Sequence, residues 1–424
     1  MENATAAPAV TERSWLRDAP VYLTAAAAVT TEISIAGFEI LMGLALVALV
    51  ATRGKFRWVP AATPLAAWMG WSLLSLAASG HFRAGWPQIR KFYVYLLLFL
   101  VVSAIQTLRE LRFTVIGWAA AGALSAGWGL EQFVRKYEAA RAAHQDFYIA
   151  YIASRITGFM GHWMTFSGQM MMALLLILAF ILFSRDERRS WLVIPGLLIF
   201  AALLAALTRS MWGGAAVGAV YLLWCKERWL IAALPAAAGV VLLANPFGVR
   251  ERAVSIVHPH GTVDSNEHRA LLRRVGWAII KDRPFLGLGP EQVGPNVRRY
   301  LPPDIQQPLP DGYYGHLHNI YFHYAAERGV PAMIALLWFL GRALYDFARA
   351  LRRLPKDSEA RWLLHGAIGV IIAFTFAGYF EVNFGDSEVL GMLLAVIACG
   401  YVAAGPAAKD AAVPQPFRTV VVEP

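Results

Sequence analysis

The chain has 424 residues, of which 58% are hydrophobic and only 16% charged, and its mean hydropathy is +0.49. Soluble domains carry about 25% charged residues, so a water-solvated globule is excluded and lipid must surround most of this chain. The formal charge of +10 comes with no nucleic-acid recognition motif, and its cations are scattered through the loops between apolar runs, so no nucleic-acid partner is expected.

A membrane-crossing helix needs about 20 apolar residues. Stretches of near that length fall near 20–33, 36–52, 59–78, 92–107, 113–134, 162–183, 191–207, 210–225, 229–245, 318–340, 362–381 and 387–404. The expected fold class is all-α: a polytopic membrane protein with about 12 transmembrane helices. Its membrane domain covers 1–404, with one large external loop, 246–317, inserted. Residues 405–424 are a Pro/Ala-rich tail, expected to be cytoplasmic and disordered. Residues 1–19 lack the apolar core of a cleavable signal, so the first span is expected to serve as an uncleaved insertion signal.

Orientation follows from the basic residues. Arg53, Lys55 and Arg57 follow the second span, Arg109 and Arg112 the fourth, Arg185, Arg188 and Arg189 the sixth, Lys226 and Arg228 the eighth. The tenth is followed by Arg342, Arg349, Arg352, Arg353, Lys356 and Arg361, whereas 34–35 and 382–386 hold no Lys or Arg. The positive-inside rule then puts both termini in the cytoplasm and the 246–317 loop outside. The external side is nonetheless rich in cations, with Arg90, Lys91 and Arg155 in shorter loops, as a polyanionic ligand such as a pyrophosphate would require. Cys225 and Cys399 read as packing residues, since no disulfide framework or zinc motif can be built from two.

Within the external loop, Asp264 and Glu267 make a helix start, and Leu271, Leu272, Val275, Ala278 and Ile279 recur at helical spacing. This predicts an amphipathic helix at the membrane surface, with Arg269 and Arg273 on another face. Pro284 ends it, and Gly287-Leu288-Gly289-Pro290 makes a turn.

Three residues stand out as candidates for chemistry, because a titratable or charged group beside hydrocarbon costs free energy and tends to be retained for function. Arg209 lies between two spans joined by almost no loop; the alternative is an arginine snorkelling beside Trp212. Arg269 lies on the amphipathic helix; the alternative is a solvated face. His318 opens the tenth span; the alternative is a histidine packed at an interface. A metal site from His258, His260, Asp264 and His268 is disfavoured by Pro259 and by the absence of an i, i+4 ligand pair. Gly-x-Ser-x-Gly is absent, so a serine-hydrolase elbow has no support.

Taken together these segments resemble the O-antigen ligase family of membrane glycosyltransferases, which shares a domain with O-antigen polymerases and some protein O-glycosylating enzymes. Thr208-Arg209-Ser210-Met211-Trp212 is similar to that family's Thr/Ser-Arg-Gly-x-Trp, with Ser210 where Gly is frequent. Arg269 followed by Pro284-Phe285-Leu286-Gly287-Leu288-Gly289 resembles its Arg, then Pro-Leu-x-Gly-x-Gly. His318-Asn319 followed by Glu327-Arg328-Gly329 resembles its His-Asn, then Glu-x-Gly.

The resemblance implies transfer of a glycan from undecaprenyl pyrophosphate to a sugar hydroxyl of the lipid A core, in the bacterial inner membrane with the active site on the periplasmic side. His318 would be the catalytic base, and Arg209 and Arg269 would bind the pyrophosphate. Inversion at the anomeric carbon is expected, with neither metal nor cofactor. The expected partners are the polyprenyl-linked donor, the lipid A core acceptor and membrane lipids. Within the same superfamily the alternatives are an O-antigen polymerase or a protein O-oligosaccharyltransferase. Outside it the alternative is a polyprenol-linked glycan flippase or other transporter, which would want its cations lining a central cavity rather than gathered on one side.

Overall fold

The computed structural model describes residues 12–258, 266–305, 309 and 315–405. Every regular element among the described residues is a helix. A helix stands at each of the twelve apolar segments, but their length and composition divide them. Seven are long and apolar enough to cross a membrane unaided: Phe82–Ala104, Leu108–Ala142, Trp163–Phe183, Glu187–Ala205, Val330–Arg353, Arg361–Gly378 and Ser387–Ala404. An eighth is added if Arg228–Ala244 and Pro246–Val254, bent by 104° at their junction, form one broken span. Ile35–Ala51 has only 17 residues, and Glu12–Thr30, Ala62–Ser79 and Arg209–Lys226 lack the apolar content of the seven.

The bundle is organised around Trp163–Phe183, Arg361–Gly378 and Ser387–Ala404, in which 72, 78 and 83% of the apolar window is buried inside the protein. Arg209–Lys226 packs closely on this centre because it presents glycines one turn apart. A Cβ at Gly214 would stand 2.9 Å from the Ala373 carbonyl oxygen, and one at Gly218 would stand 3.0 Å from that of Gly369. Small residues at four-residue spacing are how helices approach in lipid, where no hydrophobic gain drives them together.

Two polar clusters mark opposite ends of these helices. At one, Arg112 binds Asp186 (2.9 Å) and Glu359 (2.8 Å), and Ser184 also donates to Glu359 (2.5 Å). Trp163–Phe183 and Arg361–Gly378 run from there for 21 and 18 residues, roughly 27–32 Å at helical rise, close to the hydrocarbon thickness. At the far ends lie His162 and Glu381.

Three expectations need correction. The tenth span is not 318–340. The helix breaks at Gly329, whose φ of +86° and ψ of 160° suit glycine alone, giving Ile320–Arg328 and then a span at Val330–Arg353. The short first piece is polar inside: Arg328 is buried between the rings of Trp68 and Tyr324, 4.9 Å from each, and bonded to Glu327 (3.2 Å) and Ser72 (3.2 Å). The helix at the predicted 113–134 segment is also longer than that segment. Leu108–Ala142 is 35 residues, about 52 Å long at 1.5 Å per residue, so its final turns, with Arg135, Lys136 and Arg141, extend past the thickness of a bilayer core.

Finally, the Asn266–Asp282 helix does not lay its apolar face on lipid. Leu271, Leu272, Val275 and Ile279 pack with Val293, Val297, Leu317 and Ala326 in a small second core, so protein covers that face. The predicted cap Asp264 and the tail beyond 405 lie outside the described residues.

That second core is fastened to the bundle backbone to backbone. Leu288 N donates to Ala326 O (3.0 Å), Gly289 N to Glu327 O (2.7 Å) and Val330 N to Pro284 O (2.7 Å). Ser75 and Trp71 add bonds to the carbonyls of Leu286 (2.7 Å) and Phe285 (2.9 Å). The approach tolerates no side chain: a Cβ at Gly329 would fall 1.8 Å from Phe285 O, and one at Gly287 would fall 2.5 Å from Glu327 O. The Pro284–Gly289 and Glu327–Gly329 motifs are thus two halves of one clasp.

Candidate functional site

Two of the three singled-out side chains converge at the second polar end of the bundle, on a fourth residue that the sequence reading left inside a span. The Arg361–Gly378 helix stops at Gly378, and Glu381 follows in the short 379–386 turn, 1% exposed. One carboxylate oxygen, Oε1, accepts a short hydrogen bond from Arg269 and another from Ser210 Oγ (3.3 Å). The other, Oε2, faces His318 Nδ1 at 3.5 Å, a long contact that acts more through charge than as a hydrogen bond. Burial works against ionisation of Glu381, but Arg269 and His318 outweigh it and hold the carboxyl below its usual range.

His318 is placed by its neighbours. Its φ is +47°, and Asn319 fixes the corner by accepting from Tyr321 N and Phe322 N (2.9 Å each) while its amide donates to Tyr379 O (2.9 Å). The His-Asn pair is therefore a helix cap carrying the imidazole on the residue before it. Rings of His268 and His316 stand 5.1 and 4.3 Å from the His318 ring, centre to centre.

Arg269 reaches Glu381 from the second core, with 18% of its side chain exposed, while Arg273, one turn on, is exposed. Arg209 belongs to the neighbouring corner. The chain turns between the Val193–Ala205 and Arg209–Lys226 helices through Leu207, whose φ is +48°, leaving its carbonyl free of helical bonding. Two arginines bind that carbonyl, Arg252 Nε at 3.0 Å and Arg155 Nη1 at 3.2 Å. The Arg209 guanidinium donates to Ser255 Oγ (3.1 Å), which in turn donates to Arg252 O (2.8 Å). Ser210, next to Arg209, reaches Glu381, so the corner and the Arg269–His318 pair meet on one carboxylate.

Four guanidinium groups thus gather here against one buried acid. Burial, and then Arg252, pulls Arg155 down to about 9, at which it is still charged at neutral pH. Among the described residues, Nε of Arg155 and Nε of Arg269 are buried without a hydrogen-bond partner. Donors left over in a cationic cluster suit an incoming polyanion. Burial together with Arg155 lowers His162, favouring its neutral form.

On its other side Glu381 forms part of the wall of a cavity of about 640 Å³, shared with Lys91, His162, Glu291, His316 and Asp386 among others. Glu381, Arg252 and Asp386 were not legible as site residues. The only signal for Glu381 was a carboxylate at the end of an apolar run, and for Arg252 one of many basic residues in a long loop. Among the described residues no three His, Cys, Asp or Glu side chains are grouped to hold a metal. Of the disfavoured metal set, His260 and Asp264 lie outside the described residues.

The fold and this end cluster define a multi-pass membrane protein with an arginine-rich polar cluster at one end of its helices. The family model described as O-antigen ligase matches residues 194–337, a segment that contains Arg209, Arg269 and His318, and this match supports membership of that family. Its members are membrane glycosyltransferase-like enzymes of ligase or polymerase type. No curated protein matches the chain.

Proposed function

We propose that this protein is an O-antigen ligase that moves a glycan from undecaprenyl pyrophosphate to a sugar hydroxyl of the lipid A core, with inversion and without a metal, at the periplasmic face of the bacterial inner membrane. The observation that carries the reading is the meeting of Arg269 and His318, 49 residues apart in sequence, on Glu381 beside the Arg209 corner. The basic residues at the opposite ends of the helices, around Arg112 and Arg185, support an outward-facing site by the positive-inside rule.

In this reading the acceptor hydroxyl attacks the anomeric carbon of the donor sugar as the bond from that carbon to the phosphate oxygen breaks. The proton passes to His318 Nε2, since Nδ1 faces Glu381, and the electron pair leaves with the polyprenyl pyrophosphate. Glu381 orients the imidazole and stabilises the imidazolium that forms. Arg269 and Arg209 hold the pyrophosphate and offset the charge growing on it, with the unpartnered Nε donors of Arg269 and Arg155 available to its oxygens. A cluster at one end of the helices favours interfacial chemistry on two amphiphiles over a flippase, which needs cations along its path.

Lipopolysaccharide and lipid-linked glycan analysis of a strain lacking this protein tests the reading. Full-length polymer stranded on the polyprenyl carrier is the expected result. Lipopolysaccharide capped with a single repeat would replace it with a polymerase, and donor trapped on the inner leaflet would replace it with a flippase.

A further inference from the structure

The two sides of Glu381 differ in chemistry. Toward Arg269 and the Leu207 corner the polar groups are guanidinium donors. Toward the 640 Å³ cavity they are carboxylates, imidazoles and amides: Glu291, Glu327, Asp386, His162, His316, His323, Gln88 and Asn383. The one lysine or arginine among the described residues of the lining, Lys91, donates to Gly385 O at 3.0 Å and offsets part of the charge of Asp386. Glu327 and Glu381 are matched by Arg328 and Arg269, which leaves Glu291 and Asp386 as the lining carboxylates that no arginine among the described residues holds. Gln88 donates to Glu291, and Thr165 donates to Asp386 (3.2 Å). His323, also in the lining, has an Nδ1 buried without a hydrogen-bond partner among the described residues.

A volume of this size is that of a small-molecule site. Its lining cannot neutralise a phosphate and would repel one, yet it offers many acceptors and switchable donors for hydroxyl groups. We propose that this cavity is the acceptor-sugar subsite, that it takes an uncharged saccharide, and that Glu291 and Asp386 exclude a phosphorylated one. The assignment of the sugar as acceptor rests on the transferase reading; the saccharide site and its charge selectivity do not. Glu381 then divides a cationic half for the leaving pyrophosphate from an anionic half for the nucleophile, with His318 between them.

The test titrates the full-length protein in nanodiscs with maltotriose and with maltotriose carrying one phosphate, following tryptophan fluorescence, since the Trp163 ring lies 4.1 Å from that of His162 on the cavity wall. The neutral sugar should bind at least roughly tenfold more tightly, as like charges brought together at a binding site penalise the wrong ligand. Replacing both carboxylates, Asp386→Asn with Glu291→Gln, should reduce that preference to about threefold or less. Gln88→Trp, which puts an indole in place of a side chain of the cavity wall, should abolish binding of both.

Equal or tighter binding of the phosphorylated sugar, no binding of either sugar, or a Gln88→Trp protein that still binds would overturn the proposal. Transfer from a polyprenyl-pyrophosphate donor is measured on the same preparation. Selective binding without transfer sinks the transferase reading and keeps the saccharide site, whereas transfer without selectivity does the reverse.

Discussion

Neutralising Glu381 while keeping its shape, Glu381→Gln, is the sharpest perturbation of the cluster. Its carboxylate is 1% exposed, bonded to Arg269 and Ser210 and 3.5 Å from His318 Nδ1. Two unit charges at that separation interact by about 5 kcal/mol at an effective dielectric near 20, an upper bound for the stabilisation of an imidazolium formed on His318. Loss of about 10²–10³ in kcat asks for about 3–4 kcal/mol of it, in keeping with other single charge-stabilising groups. The amide retains the Ser210 bond but leaves Arg269 without a counter-charge, so some loss of stability accompanies the variant. The assay is single-turnover transfer of a labelled glycan from a synthetic polyprenyl-pyrophosphate donor to purified core lipopolysaccharide, with thermal melting to confirm folding. Donor affinity should be held or improved, since Arg269 is no longer tied to an anion. A folded Glu381→Gln protein with kcat within about threefold of the wild type would refute the reasoning.

Gly329→Ala should destabilise the protein by at least about 1–3 kcal/mol of backbone strain, because its conformation is open to glycine alone and the new Cβ meets the Phe285 carbonyl; Gly43→Ala, with nothing within 4 Å, should change the melting point little. Asp386 gives a pH prediction. Burial, then Glu388, raises its carboxyl to about 6, above an unfolded value near 3.9, so its contribution to stability is present in acid and is lost as pH rises through 6. Asp386→Asn should therefore be more stable than the wild type at pH 7.5, by up to about 3 kcal/mol, and no more stable at pH 4; melting curves at the two pH values read this directly, and an advantage that grows in acid would contradict it.

The parts of this molecule that were legible were those whose physics is local. Apolar runs gave helices at all twelve predicted segments, and the His318-Asn319 and Arg209 signals gave positions in or beside the polar end cluster. The 318–340 span was misplaced because the apolar count ran across Gly329, whose glycine-only conformation is imposed by contact with Phe285 across the clasp. The amphipathic helix was read as lipid-facing because hydrophobic periodicity shows that a face needs cover and not what covers it; Val293, Val297 and Leu317 come from further along the chain. Glu381 escaped for a similar reason, since only its distant partners Arg269 and His318 distinguish it from a carboxylate at the end of an apolar run.

The central claim is that His318 takes the acceptor's proton in a cluster whose arginines hold the pyrophosphate. Single-turnover transfer by folded His318→Ala protein, with donor binding measured in parallel, tests it most directly. The account predicts donor bound at close to wild-type affinity and transfer reduced by at least about 10²-fold. Transfer at a near wild-type rate by that protein would contradict it.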